Sequence, residues 1–253
     1  MTLAPQVSVI LPAKDEAACI GPVLRDIADV LAATAHEIIV IDDGSSDATA
    51  DTVQALRLEL PQLRLIRHAS ACGQSAAIRS GVQAARGQII ATLDADGQNP
   101  ASNLPGLIAP FLAPDANPKL GLVQGQRMRR QDTLSKRLAS RFANGIRNAA
   151  LHDRVRDSGC GMKAFPRAAY LNLAYFDHLH RFMPAMILRE GLIVVTTPVT
   201  HSERSAGSSK YNNLQRGLVG IVDLLGAAWL MRRRRLPVAQ EVAAPSAPGD
   251  SGA

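Results

Sequence analysis

The chain has 253 residues, 47% hydrophobic and 20% charged, which is the balance of an ordinary globular protein able to bury one substantial α/β core. A formal net charge of +6 points to an anionic partner: phosphates, nucleic acid or a membrane surface. Aromatic residues make up only 4%, with a single Trp, and so few stacking platforms argue against a single-stranded nucleic-acid binder.

The three cysteines, Cys19, Cys72 and Cys160, are an odd set without paired spacing, and no apolar leader precedes the first strand. A reduced, cytosolic setting is therefore expected. No apolar stretch is long enough to predict a clean bilayer-spanning helix.

Val7–Pro12 reads as a first strand, followed by Ala13-Lys14-Asp15-Glu16 and an amphipathic helix over about 17–33. This strand–helix turn has no glycine, which excludes a dinucleotide-binding fingerprint and a P-loop. Glu37–Ile41 is a second strand ending at Asp42-Asp43-Gly44-Ser45-Ser46-Asp47. Ser46 is placed to cap a helix over 47–60. A carboxylate here also suits the ribose hydroxyls or base N–H of a nucleotide. Leu63–Ile66 is a third strand and 74–85 a helix.

The Ile-rich run Gln88–Leu93 then drives into Asp94-Ala95-Asp96-Gly97-Gln98-Asn99-Pro100. Residues i and i+2 of an extended chain point the same way, so Asp94 and Asp96 share one side at the strand's carboxyl end. Two carboxylates and the Gln98 amide oxygen make an all-oxygen site suited to Mg²⁺ or Mn²⁺ when substrate phosphates complete the shell. Taken alone, Asp-Ala-Asp-Gly would read as a polar turn. Strands alternating with helices through the first hundred residues predict an α/β protein with a doubly wound, mostly parallel sheet. Such sheets bind ligands at the carboxyl ends of their strands.

Pro12 through Glu16, Asp42–Asp47 and Asp94–Pro100, in this order, resemble a family 2 glycosyltransferase of the GT-A fold. Within that family the likeness is to dolichyl- or polyprenyl-phosphate sugar synthases, over roughly residues 5 to 215. The resemblance implies a nucleotide-sugar held by Pro12, Lys14, Glu16, Asp42, Asp43, Asp94, Ala95, Asp96 and Arg127, and a metal on Asp94, Asp96 and Gln98. It also implies catalytic parts for Asp96, Asp157 and Arg127. Two positions depart from the family pattern: Lys14 stands where an aromatic is usual, and Gly97 replaces an apolar residue.

After a helix near Leu104–Leu112, Leu120–Arg127 is a strand with a basic end, and the resemblance puts Arg127 against the donor diphosphate. Arg129, Arg130, Lys136, Arg137, Arg141 and Arg147 crowd the region that follows. Most of them read as a solvated face, with Arg141 kept for the acceptor phosphate. Asp157–Phe165 reads as a glycine-rich polar loop that resembles the family's acceptor side, with Asp157 near the anomeric carbon. His178 and His180 have no partner at ligand spacing, so zinc is not expected. Ile193–Val199 is a last strand, marked as an edge by Pro198. The spacing Arg204-x-x-Gly207-x-Ser209-Lys210-Tyr211 resembles the family's closing loop, with Arg204, Ser208 and Lys210 toward the acceptor phosphate.

Gly217–Met231 is apolar except for Asp223, and Arg232–Arg235 follow. A helix of that length covers roughly 22 Å, short of the ~30 Å hydrocarbon core. It is expected to lie in the membrane interface, or to pack on the protein's own sheet or a second subunit as a homo-oligomer contact. The expected domains are a GT-A domain at 1–215, this helix at 216–235 and a disordered Ala-, Pro-, Ser- and Gly-rich tail at 236–253. The expected activity is inverting transfer from a UDP- or GDP-sugar to a polyprenyl phosphate at the cytoplasmic membrane face, with no nucleic-acid partner. Three alternatives are a hydroxyl acceptor with Asp157 as base, a nucleotidyltransferase, and a non-catalytic membrane-peripheral binding protein. A nucleotidyltransferase would want a Gly-rich basic loop after the first strand, which Pro12–Glu16 is not.

Overall fold

The computed structural model describes residues 4–127, 145, 147–153, 155–201, 213–235, 237 and 239–241. Arg141, Arg204, Ser208 and Lys210 lie outside the described residues, as do Arg129, Arg130, Lys136 and Arg137.

β1 (Val7–Ala13), β2 (His36–Asp42), β3 (Leu63–Arg67) and β4 (Ile89–Thr92) are connected through α1 (Ala17–Val30), α2 (Thr49–Leu56) and α3 (Gln74–Ala84). α4 (Leu104–Leu112), β5 (Leu120–Arg127), β6 (Lys163–Pro166), α5 (Arg167–Leu171), α6 (Leu179–Arg189), β7 (Ile193–Val199) and α7 (Asn213–Arg232) follow. The described strands form one sheet in the order β3-β2-β1-β4-β6-β5-β7. β2 and β4 pair with β1 in parallel, and β3 pairs in parallel with β2. β6 pairs antiparallel with both β4 and β5, and β7 pairs in parallel with β5. The expected α/β, mostly parallel sheet is the one observed.

β6 was not expected. Its residues Lys163, Ala164 and Phe165 close the glycine-rich segment read from the sequence as a loop, and all three are buried. Four residues led by a lysine carry too little hydrophobic alternation to announce a strand. β7 lies at the sheet's end, where a Pro198 without an N–H removes no bond from a central ladder.

Alternation along β1 explains the packing. Val7, Val9, Leu11 and Ala13 belong to a core shared with Ile20, Leu24 and Ile27 of α1 and Val53 of α2. Ile10 faces the other way, into a core with Ala77, Ile78 and Val82 of α3 and Met183 and Met186 of α6. Ala227 of α7 is buried in this second core, and Leu224, Ala228, Leu230 and Met231 pack against it. α7 is also tied to the body by Asp223, whose Oδ2 lies 2.8 Å from His178 Nδ1, and by Arg189 Nε, which donates to the Leu230 carbonyl at 2.9 Å. Its opposite side exposes Ile221, Val222, Leu225 and Trp229.

Candidate active site

The chain passes outward from β1 to β2 and β3, then returns to place β4 on β1's other side. The β1/β4 boundary is therefore the switch point where such sheets open a crevice. Because β6 reverses between β4 and β5, the carboxyl ends of β1, β2, β4 and β5 and the amino end of β6 share one edge.

The turns leaving β1 and β2 are knitted together. Asp15, at φ +55°, donates its N–H to Ser45 Oγ and accepts both the N–H and Oγ of Ser46 on Oδ1. Glu16 N–H donates to Thr49 Oγ1 and Ala17 N–H to Asp47 Oδ2. Ser46 thus does not cap a helix as expected; α2 starts at Thr49, whose N–H is held by Asp47 Oδ1 at 2.9 Å. Pro12 and Glu16 are half-buried at this exit, and Lys14 is exposed.

The two acids after β2 part company. Asp42 is fully buried; Arg67 Nε donates to its Oδ2 at 2.8 Å and Ser45 N–H to its Oδ1 at 3.0 Å. Its carboxylate thus fastens β3 and the turn. Asp43 receives the N–H groups of Cys72 and Gly73, each at 2.8 Å, and pairs with His68 Nδ1 at 2.7 Å. Burial alone would raise the Asp43 carboxyl, but the Cys72 N–H, His68 and the Gly73 N–H together hold it below its usual range. Asp43, His68 and Cys72 bring ligand atoms within 4.8 Å of one another. The His68 ring and the Cys72 N–H already share Asp43 Oδ1, so a metal there would have to displace those bonds.

A carboxyl lowered in this way stabilises the fold above its unfolded value near ~4, and the contribution is lost as pH falls through the folded value. Asp43→Asn is expected to cost about 1–3 kcal/mol at neutral pH by removing one acceptor oxygen and the charge from the bonds to the Cys72 and Gly73 N–H groups and His68. Urea unfolding at a series of pH values should show the gap to wild type closing below about pH 4.

Asp94 lies two residues past the end of β4, beside the β1/β4 boundary. Gln74 Nε2, from the start of α3, donates to its Oδ1 at 3.0 Å, and Asn99 Nδ2 donates to its Oδ2 at 2.9 Å. Gly161 approaches so closely that an added Cβ would stand 2.1 Å from Asp94 Oδ2. Thr92 Oγ1 holds that glycine by donating to its carbonyl at 2.6 Å. Burial, and then the Asp96 charge, push the Asp94 carboxyl up, while the Lys163 and Arg127 charges oppose the shift. Asp96 is half-buried and accepts the Gln98 N–H at 3.1 Å, and Ala95 between the acids is buried. Gly97 has φ +74°, a left-handed conformation that suits glycine better than an apolar residue.

This donor set fits a hard divalent cation. Asp94, Asp96 and Gln98 supply only oxygens, and each Asp94 oxygen keeps a lone pair beyond its amide bond. Two carboxylates that disfavour each other's charge are relieved by a cation between them.

Arg127, at the end of β5, makes a two-pronged ion pair with Asp157. Its Nε lies 2.7 Å from Oδ2 and its other terminal N–H group 2.8 Å from Oδ1. Asp157 is buried and Arg127 nearly so, so replacing Asp157 would strand a cation whatever the acceptor. A slow Asp157→Asn enzyme therefore does not by itself identify a base.

Sequence reasoning passed over several residues here. Lys163 is 2% exposed, donates to the Cys160 carbonyl, and pairs in register with Thr92 and Gln124. Burial lowers its ammonium to about 8, leaving it charged at neutral pH. Gln124 is fully buried, and its Nε2 donates to the carbonyls of Gly125, Asp157 and Cys160. Gln74, Asn99 and Gly161 complete the Asp94 cradle. The one signal was a lysine inside a glycine-rich motif. His180 is buried beside Ser75 Oγ at 2.7 Å, and burial and nearby cations keep it neutral. His178 pairs with Asp223.

Paired acids at a sheet's switch point beside cationic strand ends suit an enzyme that binds a phosphate-bearing substrate through a divalent cation, and the GT-A sugar transferases are one such class. The profile of glycosyl transferase family 2 matches residues 8–173, and the chain belongs to that family. It is 30% identical over 92% of its length to a dodecaprenyl-phosphate galacturonate synthase of Rhizobium johnstonii, covering 69% of that relative. It is 33% identical over 82% of its length to an undecaprenyl-phosphate 4-deoxy-4-formamido-L-arabinose transferase of Yersinia enterocolitica, covering 63% of it. The chain thus spans roughly two thirds of these relatives' own length.

The structure resembles mannosyl-3-phosphoglycerate synthase of Rubrobacter xylanophilus, with a TM-score of 0.71 at 17% identity over 96% of this chain and 79% of that one. It also resembles glucosyl-3-phosphoglycerate synthase of Mycobacterium tuberculosis in a complex with Mn²⁺, UDP-glucose and phosphoglyceric acid. That match has a TM-score of 0.69 at 20% identity over 89% of this chain and 80% of that one. At such identities the likeness is one of fold.

Proposed function

We propose that this glycosyltransferase moves a sugar from a UDP- or GDP-sugar to a polyprenyl phosphate, with inversion at the anomeric carbon. The reading is supported by the Asp94/Asp96 pair just past the carboxyl end of β4, next to the switch point, with Asp94 within the influence of the Arg127 charge, in a chain whose curated relatives are named for polyprenyl-phosphate acceptors. Asp94, Asp96 and Gln98 would hold Mg²⁺ or Mn²⁺, which when bound supplies neutralising charge to a departing diphosphate. Gln74 and Asn99 orient Asp94 for that task. Arg127 shares the diphosphate's charge. Pro12, Lys14, Glu16 and Asp43 border the nucleoside side. Arg141, Arg204, Ser208 and Lys210 are assigned to the acceptor phosphate on the family resemblance.

The acceptors named for the curated relatives favour a phosphate over a hydroxyl. A hydroxyl needs a general base, and both Asp157 oxygens carry Arg127 N–H bonds. A lipid phosphate, with a second ionisation near ~6, is already mostly dianionic at neutral pH. The test offers radiolabelled UDP- and GDP-sugars to undecaprenyl phosphate, with and without Mg²⁺ or Mn²⁺. Label is expected in the lipid phase only with metal. Label that stays water-soluble across the whole panel would overturn the reading.

No helix among the described residues is long and apolar enough to cross a membrane. The outer stripe Ile221, Val222, Leu225 and Trp229 of α7 leads into Arg232–Arg235, with Arg233 lying 5.9 Å from the Trp229 ring centroid. We assign this face to peripheral contact with an anionic cytoplasmic leaflet. The pair Leu225→Glu and Trp229→Glu is expected to weaken cosedimentation with anionic vesicles by at least about tenfold. Unchanged binding would remove α7 from the membrane.

A further inference from the structure

We propose that Lys163 is a positioning residue that tunes the acidic pair to accept a metal–diphosphate complex in preference to the bare metal. The inference rests on the metal site proposed above and adds a cation that the family resemblance did not single out.

A lysine 2% exposed is costly unless its charge is compensated, and a four-residue strand between two others would ordinarily bury an apolar side chain. Among the described residues, its ammonium makes one hydrogen bond, to the Cys160 carbonyl. Its register neighbours place it on the strand between β4 and β5, near enough to Asp94 for the two charges to act on each other. Thr92 stands opposite it on β4, two residues before Asp94, and Gln124 on β5, three before Arg127. Gly161, two residues before it, touches the Asp94 carboxylate. Lys163 thus adds positive charge to a site that also holds Arg127 paired to Asp157.

A buried cation has opposite effects on two ligands. It repels a bare divalent ion bound by Asp94 and Asp96. It attracts the diphosphate that arrives with that ion and the charge that builds as the diphosphate leaves. The net result is a weak site for free metal and a strong site for the metal–nucleotide complex. A purely structural lysine, holding only the 157–162 turn, would on removal loosen both.

The experiment measures Mn²⁺ binding without nucleotide, and UDP and GDP binding with saturating Mn²⁺, in wild type, Lys163→Met, Lys163→Arg and Asp96→Asn. Lys163→Met is expected to bind bare Mn²⁺ about 3- to 10-fold tighter and the preferred nucleotide about 10-fold weaker, while Lys163→Arg stays near wild type on both. Should Lys163→Met not fold, Lys163→Gln removes the charge while keeping a donor for the Cys160 carbonyl. Loss of both affinities together, or no change in either, would overturn the inference. Asp96→Asn separates the two levels. If it binds Mn²⁺ like wild type, the metal assignment itself fails. If it loses Mn²⁺ while Lys163→Met behaves as wild type, only the role of Lys163 fails.

Discussion

Asp96→Ala is expected to lower sugar transfer by at least about 10³-fold, the equivalent of roughly 4 kcal/mol of transition-state stabilisation. Asp96 is half-buried at the rim of the Asp94–Gln98 turn, and it accepts the Gln98 N–H. Removing its carboxylate takes away one of three oxygens that would hold the metal, and also the bond that shapes the turn. The side chain is not part of either apolar core, so the thermal midpoint should change little. Initial rates at saturating Mn²⁺, read beside that midpoint, test the point. A variant within about threefold of wild type would mean that this acid does not hold a metal needed in the rate-limiting step.

Gly161→Ala should be nearly as damaging while adding only a methyl group. The new Cβ would stand 2.1 Å from Asp94 Oδ2 and 2.4 Å from Asp94 Cγ, a separation at which something must move. The backbone is the stiffer side of that contact. Thr92 Oγ1 holds the Gly161 carbonyl at 2.6 Å, and the Gly125 N–H holds the Met162 carbonyl at 2.9 Å. Asp94 therefore yields, and it cannot turn without stretching its bonds to Gln74 and Asn99. We expect transfer to fall by at least about 100-fold, or about 2.7 kcal/mol, and Mn²⁺ binding to weaken. Overpacking should also cost about 1–3 kcal/mol of stability. Wild-type Mn²⁺ affinity in the folded variant would show that Asp94 does not need its present position.

Much of the site was legible before any coordinates. Asp94 and Asp96 announced themselves because an apolar run ended abruptly in two acids of the same parity, a pattern local to seven residues. Pro198 marked an edge strand by its missing N–H. The acids after β2 show where local reading stops. Asp42 and Asp43 look equivalent in the chain, yet one ties Arg67 and the other the Cys72–Gly73 turn. Those partners lie 25 to 30 residues away. Ser46 has the chemistry of a helix cap, but Asp15 competes for it from another turn. Lys163 was hidden for a similar reason: a lysine in a glycine-rich segment looks solvated until two strands close over it.

The linear order of residues determined the alternating strands and helices, the absence of a phosphate-binding glycine turn, the acidic pair and the basic, apolar carboxyl-terminal helix. Each is written in periodicity or in neighbouring side chains. The antiparallel β6, the Arg127–Asp157 pair, the Gln74, Asn99 and Gly161 cradle and the buried Lys163 were decided only by the tertiary structure. These contacts join segments between 5 and 77 residues apart, and several of them exist because the reversed β6 lies between β4 and β5. Short-range propensity carries no record of which distant segment will arrive; burial and the pairing of polar groups within the folded sheet decide it.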